Sequence, residues 1–202
     1  MSSENVVNAG SFSTANIDKG RRRFLIATTS VVGAVGVVGL ATPFISSMLP
    51  SAKAKAAGAP VEADISKLEP GQLVTYEWRG KPVWIVRRTD DALESLSSVV
   101  DKLRDPESDE SLQPEYTKNT WRSINKEYLV LIGVCTHLGC SPTYMPEIEG
   151  DWRGGFFCPC HGSKFDFAGR VYKSVPAPLN LEVPPHHFLS DNRILIGEDG
   201  VA

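Results

Sequence analysis

Two short stretches hold every cysteine of the chain, and each also holds one histidine. They read CTHLGC at residues 135–140 and CPCHGS at residues 158–163. Thiolates and neutral imidazoles are ligands for zinc and iron, and paired cysteines can also form disulfides. The stretches therefore supply six candidate groups for a metal centre, a disulfide or both: Cys135, His137, Cys140, Cys158, Cys160 and His161.

Three kinds of site are compatible with these six groups. A zinc site with two cysteines and two histidines would use four of them and leave two cysteines over. Two structural disulfides would use the four cysteines and leave both histidines without a role. A [2Fe–2S] cluster in which histidines replace cysteines on one iron would use all six. This third kind of site is favoured, and the zinc and two-disulfide sites stay open as alternatives. In the favoured site Cys135 and Cys158 would bind one iron, and His137 and His161 the other. Cys140 and Cys160 would form a disulfide.

The segments around these stretches are predicted to be mainly β-strands. Residues 73–88 contain two apolar arms around an Arg-Gly-Lys-Pro turn, which predicts a hairpin. Residues 91–105 have apolar side chains at helical spacing, and residues 106–123 are polar, which predicts a surface loop. The fold class is therefore predicted as mostly β, a small antiparallel β-sandwich with one helical insertion. Its further strands are expected at residues 127–134, 154–159, 179–183 and 193–198.

The N-terminal region contains a candidate membrane anchor. No charged residue occurs from Phe24 to Leu49, roughly 26 residues that would span about 39 Å as a helix, more than a bilayer core of about 30 Å. Arg21, Arg22 and Arg23 precede it, which predicts a cytoplasmic N-terminus. RRRFL also fits a twin-arginine export signal. Small residues around residues 51–56 would permit cleavage, but the long apolar run favours a retained transmembrane helix.

These patterns predict four regions. Residues 1–20 are expected to be a disordered cytoplasmic segment, residues 21–49 the signal and anchor, and residues 50–61 a flexible hinge. Residues 62–202 would form the exported domain, with the cysteine–histidine site within about residues 130–180. The net charge of −3 provides no basic field for nucleic acid, so no nucleic-acid partner is predicted.

The paired motifs resemble the Rieske iron–sulfur subunit of cytochrome bc complexes, the ubiquinol–cytochrome c reductases, in its proteobacterial form. The likeness extends to ADISKLEPGQL, GKPVWIVRRT and AGRVYKSVPAPLNL. It implies one [2Fe–2S] cluster, held by Cys135, His137, Cys158 and His161, and a disulfide between Cys140 and Cys160.

The resemblance also implies a function, partners and a location. The subunit would take one electron from quinol, accept a proton on a ligand histidine, His161 or His137, and pass the electron to a c-type cytochrome in a proton-translocating respiratory enzyme. Its partners would be a cytochrome b subunit and a c-type cytochrome subunit in a dimeric complex. The location would be the bacterial cell inner membrane, crossed once, with the Rieske domain in the periplasm.

Residues near the ligands receive roles from the same resemblance. Leu138 would shield the cluster tip, and Ser163 would hydrogen-bond a bridging sulfide. Gly139 and Gly162 would allow tight turns, and Pro176 belongs to the VPAPL loop that would cover the cluster. Phe165 stands where many high-potential members carry tyrosine, which predicts a lower midpoint potential because one donor to sulfur is missing.

Other classes of protein fit less well. The Rieske small subunit of a periplasmic arsenite-oxidase-like enzyme is the alternative function, but the hinge and the VPAPL loop favour the bc complex. Rieske ferredoxins and oxygenases usually lack the two extra cysteines, and a scaffold would not need six ligand-type groups. His186 and His187 are predicted to be surface or strand-end histidines, because they lack further ligands nearby in the sequence.

Overall fold

The computed structural model describes residues 18–147 and 152–200. The disordered segment predicted for residues 1–20 lies outside this part of the chain except for its last three residues. The chain divides into two compact units, Met1–Ser51 and Ala52–Ala202.

The first unit is built around one long helix. Helix α1 spans Lys19–Ser47 and begins two residues before the predicted anchor, because the Asp18 side chain accepts hydrogen bonds from the backbone N–H groups of Gly20 and Arg21. Thr28 and Thr42 donate their hydroxyls to backbone carbonyls of the preceding turn, so these polar groups are satisfied within the helix. The helix is long and apolar enough to cross a membrane, in agreement with the predicted anchor.

A short helix stands where the hinge is predicted. Helix α2 covers Ala52–Ala57, and strand β1 begins at Val61. A helix of six residues is much shorter than the roughly 12–15 residues that an isolated helix needs for marginal stability. The hinge over residues 50–61 stays a prediction.

Within its described residues, the second unit contains three antiparallel sheets of three strands each, and the prediction of a mostly β fold is confirmed. The strands are β1 (Val61–Asp64), β2 (Leu73–Trp78), β3 (Lys81–Arg87), β4 (Tyr128–Ile132), β5 (Thr143–Met145), β6 (Gly155–Cys158), β7 (Ser163–Phe165), β8 (His186–Ser190) and β9 (Arg193–Ile196). Their spatial orders in the three sheets are β1–β9–β8, β2–β3–β4 and β5–β6–β7.

The sheet β2–β3–β4 is packed on both faces. Val83 and Ile85 lie in one apolar cluster with residues of β1 and β9, whereas Trp84 and Val86 lie in a second cluster with Phe156 of β6 and Phe165 of β7. Successive strand residues point to opposite faces, so the central strands need apolar residues in an unbroken run. The second cluster contains Cys135 and Cys158, which places the predicted site on this core.

The helical insertion is shorter than predicted. Helix α3 spans Asp90–Ser98, with the Thr89 side chain accepting from the Ala92 N–H, and a 3₁₀ turn follows at Val100–Lys102. The α-helix ends where two β-branched valines follow in sequence, and these residues have low helix propensity.

The prediction of a plain surface loop over residues 106–123 is wrong for several of its residues. Thr117, Arg122 and Ser123 are fully buried, and a second 3₁₀ turn occurs at Glu115–Thr117. The Arg122 guanidinium donates to the side chain of Gln113 and to the carbonyls of Ala168 and Leu181. A buried cation therefore ties this insertion to two segments that follow β7 in the chain.

The strand predicted over residues 179–183 does not form. The Leu181 N–H donates to Gly169, the Glu182 carbonyl accepts from Ile132, and the Val183 N–H donates to Leu112. These backbone groups bond to three different segments, so no ladder with a single partner strand develops.

Candidate metal centre

The two cysteine–histidine loops lie next to each other because strand β6 pairs with both β5 and β7. The first loop joins β4 to β5, and the second joins β6 to β7. A disulfide between Cys140 and Cys160 links the loops, at a Cα–Cα distance of 6.7 Å. This is the pairing that the family resemblance implies.

Each loop closes through a glycine that lies four residues after a free cysteine. The Gly139 N–H donates to the Cys135 carbonyl at 3.0 Å, and the Gly162 N–H donates to the Cys158 carbonyl at 2.9 Å. Both glycines have a left-handed backbone, with φ of 83° and 77°. A side chain at either position would be strained even though space is open around the missing Cβ atom.

Cys135 and Cys158 are the two free cysteines, and both are 2% exposed. Burial raises the pKa of the Cys135 thiol, and the neighbouring Cys158 adds to this rise. The backbone N–H of His137 and the Ser163 hydroxyl oppose it, since both lie close enough to the Cys135 sulfur to favour the thiolate. A bound metal would convert the Cys135 thiol fully to the thiolate, because a thiol that coordinates a metal is deprotonated.

His137 and His161 face each other across the two loops. Their ring centroids lie 4.7 Å apart with the planes at 88°. His161 is exposed and His137 is partly exposed, whereas the free cysteines are buried. The arrangement has a thiol side toward the core and an imidazole side toward solvent.

The spacing of possible ligand atoms argues against a zinc ion held by two cysteines and two histidines. Among the described residues, the group whose ligand atoms lie within 4.8 Å of one another consists of Cys140, Cys158 and Cys160. Two of these sulfurs are joined in the disulfide, so they cannot act as thiolates. Cys135, His137 and His161 fall outside this group, whereas a tetrahedral zinc site needs its four ligands around one ion.

A third segment, residues 175–179, lies against the two loops. The Ser163 hydroxyl accepts a hydrogen bond from the Ala177 N–H at 3.0 Å, and the Thr136 hydroxyl donates to the Leu179 carbonyl at 2.6 Å. Pro176 is exposed in this segment, and Leu138 is 72% exposed on the first loop. Leu138 directly follows His137 in the first loop, so it presents exposed apolar surface beside that histidine.

Phe165 is fully buried in the cluster that contains Cys135 and Cys158. Its ring has no polar atom, so it contributes packing and no hydrogen bond to a sulfur.

Sequence reasoning missed several residues that hold the third segment in place. Arg104 donates to the carbonyls of Val175 and Pro178, and the buried Asn180 side chain accepts from Val171 and donates to Asp105 and Ser108. The signal for Asn180 was a single amide within the apolar run LNLEV, because a buried polar side chain needs several partners. Arg104 gave no comparable signal, since exposed arginines are common.

His186 takes one of its two predicted positions. It begins β8 as a strand-end residue, and at 1% exposed it is not a surface histidine. Its Nδ1 lies 2.8 Å from the Pro184 carbonyl oxygen, and its Nε2 has no hydrogen-bond partner among the described residues. Burial lowers the pKa of His186, so the neutral ring is favoured.

The residues present fit a [2Fe–2S] cluster with two cysteine and two histidine ligands. Two free buried thiols and two solvent-facing imidazoles remain after the disulfide is formed, and donors lie beside the Cys135 sulfur. This donor set is that of a centre in which histidines replace cysteines on one iron.

Comparison with known protein sequences agrees with a Rieske [2Fe–2S] centre. The Rieske [2Fe-2S] domain model matches residues 107–185, and the model described as Ubiquitinol-cytochrome C reductase Fe-S subunit TAT signal matches residues 13–51. The chain is 61% identical over 192 residues to the ubiquinol-cytochrome c reductase iron-sulfur subunit of Allochromatium vinosum, with 93% of each chain covered. It is 46% identical to the subunit of the same name from Bradyrhizobium diazoefficiens, over 88% of this chain and 94% of the relative.

Among solved structures, the chain is similar to one from a "Hyperthermophilic respiratory Complex III". The identity is 28% and the TM-score 0.47, over 83% of this chain and 97% of the other. This TM-score is too low to support a functional conclusion.

These matches confirm the twin-arginine signal, the membrane anchor and the Rieske cofactor, and they favour the bc-complex function over the arsenite-oxidase alternative. The chain belongs to the family of ubiquinol–cytochrome c reductase iron–sulfur subunits, which carry a Rieske [2Fe–2S] domain.

Proposed function

We propose that this subunit takes electrons one at a time from quinol and delivers them to a c-type cytochrome, with Cys135, His137, Cys158 and His161 as the ligands of its cluster. The observation that carries the proposal is the pair of imidazoles 4.7 Å apart on the exposed side of two buried thiols. A Rieske cluster supplies one-electron transfer at this position.

His161 is the proposed proton acceptor. One ring nitrogen of a ligand histidine binds iron, and the other remains free to accept a hydrogen bond or a proton. His161 is exposed and His137 is partly buried, so the free nitrogen of His161 is the more accessible to a quinol hydroxyl. His137 would then be the second histidine ligand, held by the first loop.

Leu138 and the segment with Pro176 form the proposed contact surface. Leu138 is 72% exposed, and Pro176 and Pro178 are also exposed. An apolar rim around exposed imidazoles would exclude water when a partner covers it, and proton transfer to His161 would then occur within a closed site. The partners proposed for this surface are the cytochrome b subunit, which would hold quinol, and the c-type cytochrome subunit of a dimeric complex.

The N-terminus supports a proposed placement of the chain in the membrane. Arg21, Arg22 and Arg23 lie in the first turns of α1 and are proposed to remain in the cytoplasm, so that α1 crosses the inner membrane once and the Rieske domain lies in the periplasm. An oxidising periplasm suits the Cys140–Cys160 disulfide. We propose residues 50–61 as the hinge, residues 62–202 as the Rieske domain and residues 130–180 as its cluster-binding part.

The proposal can be tested at Leu138. The oxidised intact complex is mixed anaerobically with quinol, and reduction of the cluster is followed by rapid-freeze EPR. Leu138→Ala should slow the reduction about tenfold without changing the midpoint potential, because it removes exposed contact area rather than a ligand.

Leu189→Ala is the matched control, since Leu189 is 49% exposed on β8 and lies outside both loops. It should leave the rate unchanged. Reduction of the c-type haem by quinol with no reduction of the cluster would contradict the proposal.

A further inference from the structure

The segment at residues 175–179 is held by contacts from two different parts of the chain. From the cysteine–histidine loops, the Ser163 hydroxyl accepts the Ala177 N–H at 3.0 Å, and the Thr136 hydroxyl donates to the Leu179 carbonyl at 2.6 Å. Further contacts come from residues 104–111, which follow the helical insertion. The position of this stretch therefore bears on the same backbone that contacts the two loops.

Arg104 joins two carbonyls of the segment. Its guanidinium donates to the Val175 carbonyl at 3.1 Å and, in a longer contact, to the Pro178 carbonyl at 3.4 Å. Its own backbone N–H donates to the Val171 carbonyl at 2.9 Å, which fixes the base of the side chain. Among the described residues Arg104 forms no ion pair with a carboxylate. The guanidinium thus spans the part of the segment that contains Ala177.

The residue that follows the segment is anchored independently of Arg104. The buried Asn180 side chain donates to the Asp105 carbonyl and to the Ser108 hydroxyl, both at 2.9 Å, and its backbone N–H donates to the Ser111 hydroxyl at 3.2 Å. Arg104, in contrast, is exposed. A substitution at Arg104 should therefore release the segment at residues 175–178 and leave this buried network in place.

The Ser163 hydroxyl connects the segment to the proposed cluster. Because its oxygen accepts the Ala177 N–H, its own hydrogen is directed away from that group. The hydroxyl also lies beside the Cys135 sulfur, which can accept this hydrogen. A donor to a ligand sulfur favours the reduced, more negatively charged cluster. The direction of the hydroxyl, and with it the midpoint potential, depends on where Ala177 lies.

We propose that Arg104 is a positioning residue for the redox centre. By holding the carbonyls of Val175 and Pro178, it keeps the Ala177 N–H on the Ser163 oxygen and so directs the hydroxyl to the sulfur of the first loop. The planar guanidinium suits this role because it presents several N–H donors in a rigid fork, whereas a lysine ammonium is a point charge on a flexible stem. The inference rests on the proposed ligand set, with Cys135 as a cluster ligand.

The first test is redox titration of the full-length holoprotein in detergent. Arg104→Lys keeps the positive charge but loses the fork, so a change in potential would report position rather than charge. We expect the midpoint to fall, by less than in Ser163→Ala. Arg87→Lys is the matched control, because Arg87 also donates to a backbone carbonyl, that of Leu68 at 2.9 Å, and it should leave the midpoint unchanged.

A double substitution shows whether Arg104 acts through Ser163. Once Ser163→Ala has removed the hydroxyl, adding Arg104→Lys should not lower the midpoint further, because two residues that act through one group are not additive. An equal fall in both backgrounds would overturn the proposal. So would an Arg104→Lys midpoint equal to that of the unsubstituted protein.

Amide hydrogen exchange, followed by mass spectrometry, measures the position of the segment without reference to the cluster's potential. Pro176 and Pro178 have no amide hydrogen, so the segment is reported by Val175, Ala177 and Leu179 alone. Exchange at Ala177 should be about tenfold faster in Arg104→Lys, the effect of losing about one charge-assisted hydrogen bond. Exchange as slow as in the unsubstituted protein would overturn the proposal, whatever the midpoint does.

These measurements use neither quinol nor a cytochrome, so a failure of the proposed electron transfer would leave both results unchanged. A failure of the ligand assignment would appear elsewhere, as an EPR signal of the unsubstituted protein without histidine coupling. That result would overturn the role of Arg104 as well, since the role requires Cys135 to be a cluster ligand.

Discussion

The hydroxyl of Ser163 accepts a hydrogen bond from the backbone N–H of Ala177 at 3.0 Å. Ser163 is fully buried, and its hydroxyl also lies close enough to the Cys135 sulfur to lower the pKa of that thiol. One side chain thus connects the second loop, the segment at residues 175–179 and a proposed cluster ligand of the first loop.

Ser163→Ala should lower the midpoint potential and weaken the fold. A donor near sulfur favours the more negatively charged, reduced cluster, and its loss should cost about 1 kcal/mol, or about 40 mV for a one-electron couple. The Ala177 N–H would also be left without its acceptor, which should reduce the free energy of unfolding by about 1–3 kcal/mol. Redox titration and denaturant unfolding measure the two effects.

Ser95→Ala is the control, because Ser95 is also buried but its hydroxyl donates to the Ala92 carbonyl within α3. It should leave the midpoint unchanged. A Ser163→Ala midpoint equal to that of the unsubstituted protein would rule out the proposed contact with the cluster.

Phe165→Tyr should raise the midpoint potential by a similar amount, about 40 mV, because it adds a hydroxyl donor beside the sulfur ligands. Phe165 is fully buried in the same apolar cluster as Cys135 and Cys158. Phe167→Tyr makes the same change at a buried ring in a different cluster and should not shift the potential. The prediction fails if the two variants have equal midpoints.

Arg122→Met should destabilise the domain strongly. Arg122 is fully buried, and burial lowers its pKa to about 10, so the guanidinium is still charged at neutral pH. Its removal would leave the carbonyls of Ala168 and Leu181 without a donor, which should cost about 3 kcal/mol and lower the melting temperature by roughly 6–12 °C.

Arg193→Met provides the comparison for Arg122. Arg193 forms an exposed ion pair with Glu62, and such pairs contribute about 0–1 kcal/mol. Thermal unfolding followed by circular dichroism should therefore show a small change for Arg193→Met and a large one for Arg122→Met. Similar decreases in melting temperature for the two variants would show that the buried hydrogen bonds of Arg122 do not stabilise the domain more than an exposed ion pair does.

His186 should make stability depend on pH. Burial lowers the pKa of His186 in the folded state below its usual value of about 6.5, so the unfolded chain binds a proton more readily. The stability that the neutral ring contributes is present above about pH 6.5 and is lost as the pH falls from there toward the folded-state pKa, by at most about 1.4 kcal/mol per pH unit.

His186→Asn should flatten this dependence, because an asparagine amide stays neutral and can still donate to the Pro184 carbonyl. The free energies of unfolding of the two proteins would be compared at pH 7.5, 6.5 and 5.5, values chosen to bracket about 6.5. His187→Asn, at a partly exposed ring, is the control. Parallel pH curves for the unsubstituted protein and His186→Asn would contradict the account.

The strands of the central sheet and the neighbourhood of the two loops could be predicted from the sequence. The apolar arms around Arg79–Pro82 predicted β2 and β3, and the run through Tyr128–Ile132 predicted β4, because local periodicity reports which faces are buried. The six cysteine and histidine groups predicted one compact site because few sites use all of them.

The features of the fold and of the site that the sequence did not predict depend on contacts between segments distant in the chain. Arg122 looks like an ordinary polar residue in sequence, and Asn180 is marked only as a single amide within LNLEV. Their buried roles arise only when polar groups from several loops converge on them. Residues 179–183 have the composition of a strand but bond to three separate segments. Strands β5 and β7 have three residues each, which is too short for a periodic signal.

The most direct test of the central claim is pulsed EPR of the reduced full-length protein labelled with ¹⁵N-histidine. The chain contains four histidines, and we expect strong coupling of the cluster to the nitrogens of two of them, His137 and His161. The same two couplings should persist when His186 and His187 are both replaced by asparagine. A reduced cluster without histidine coupling, or stoichiometric zinc in protein that gives no EPR signal, would contradict the assignment of two cysteine and two histidine ligands.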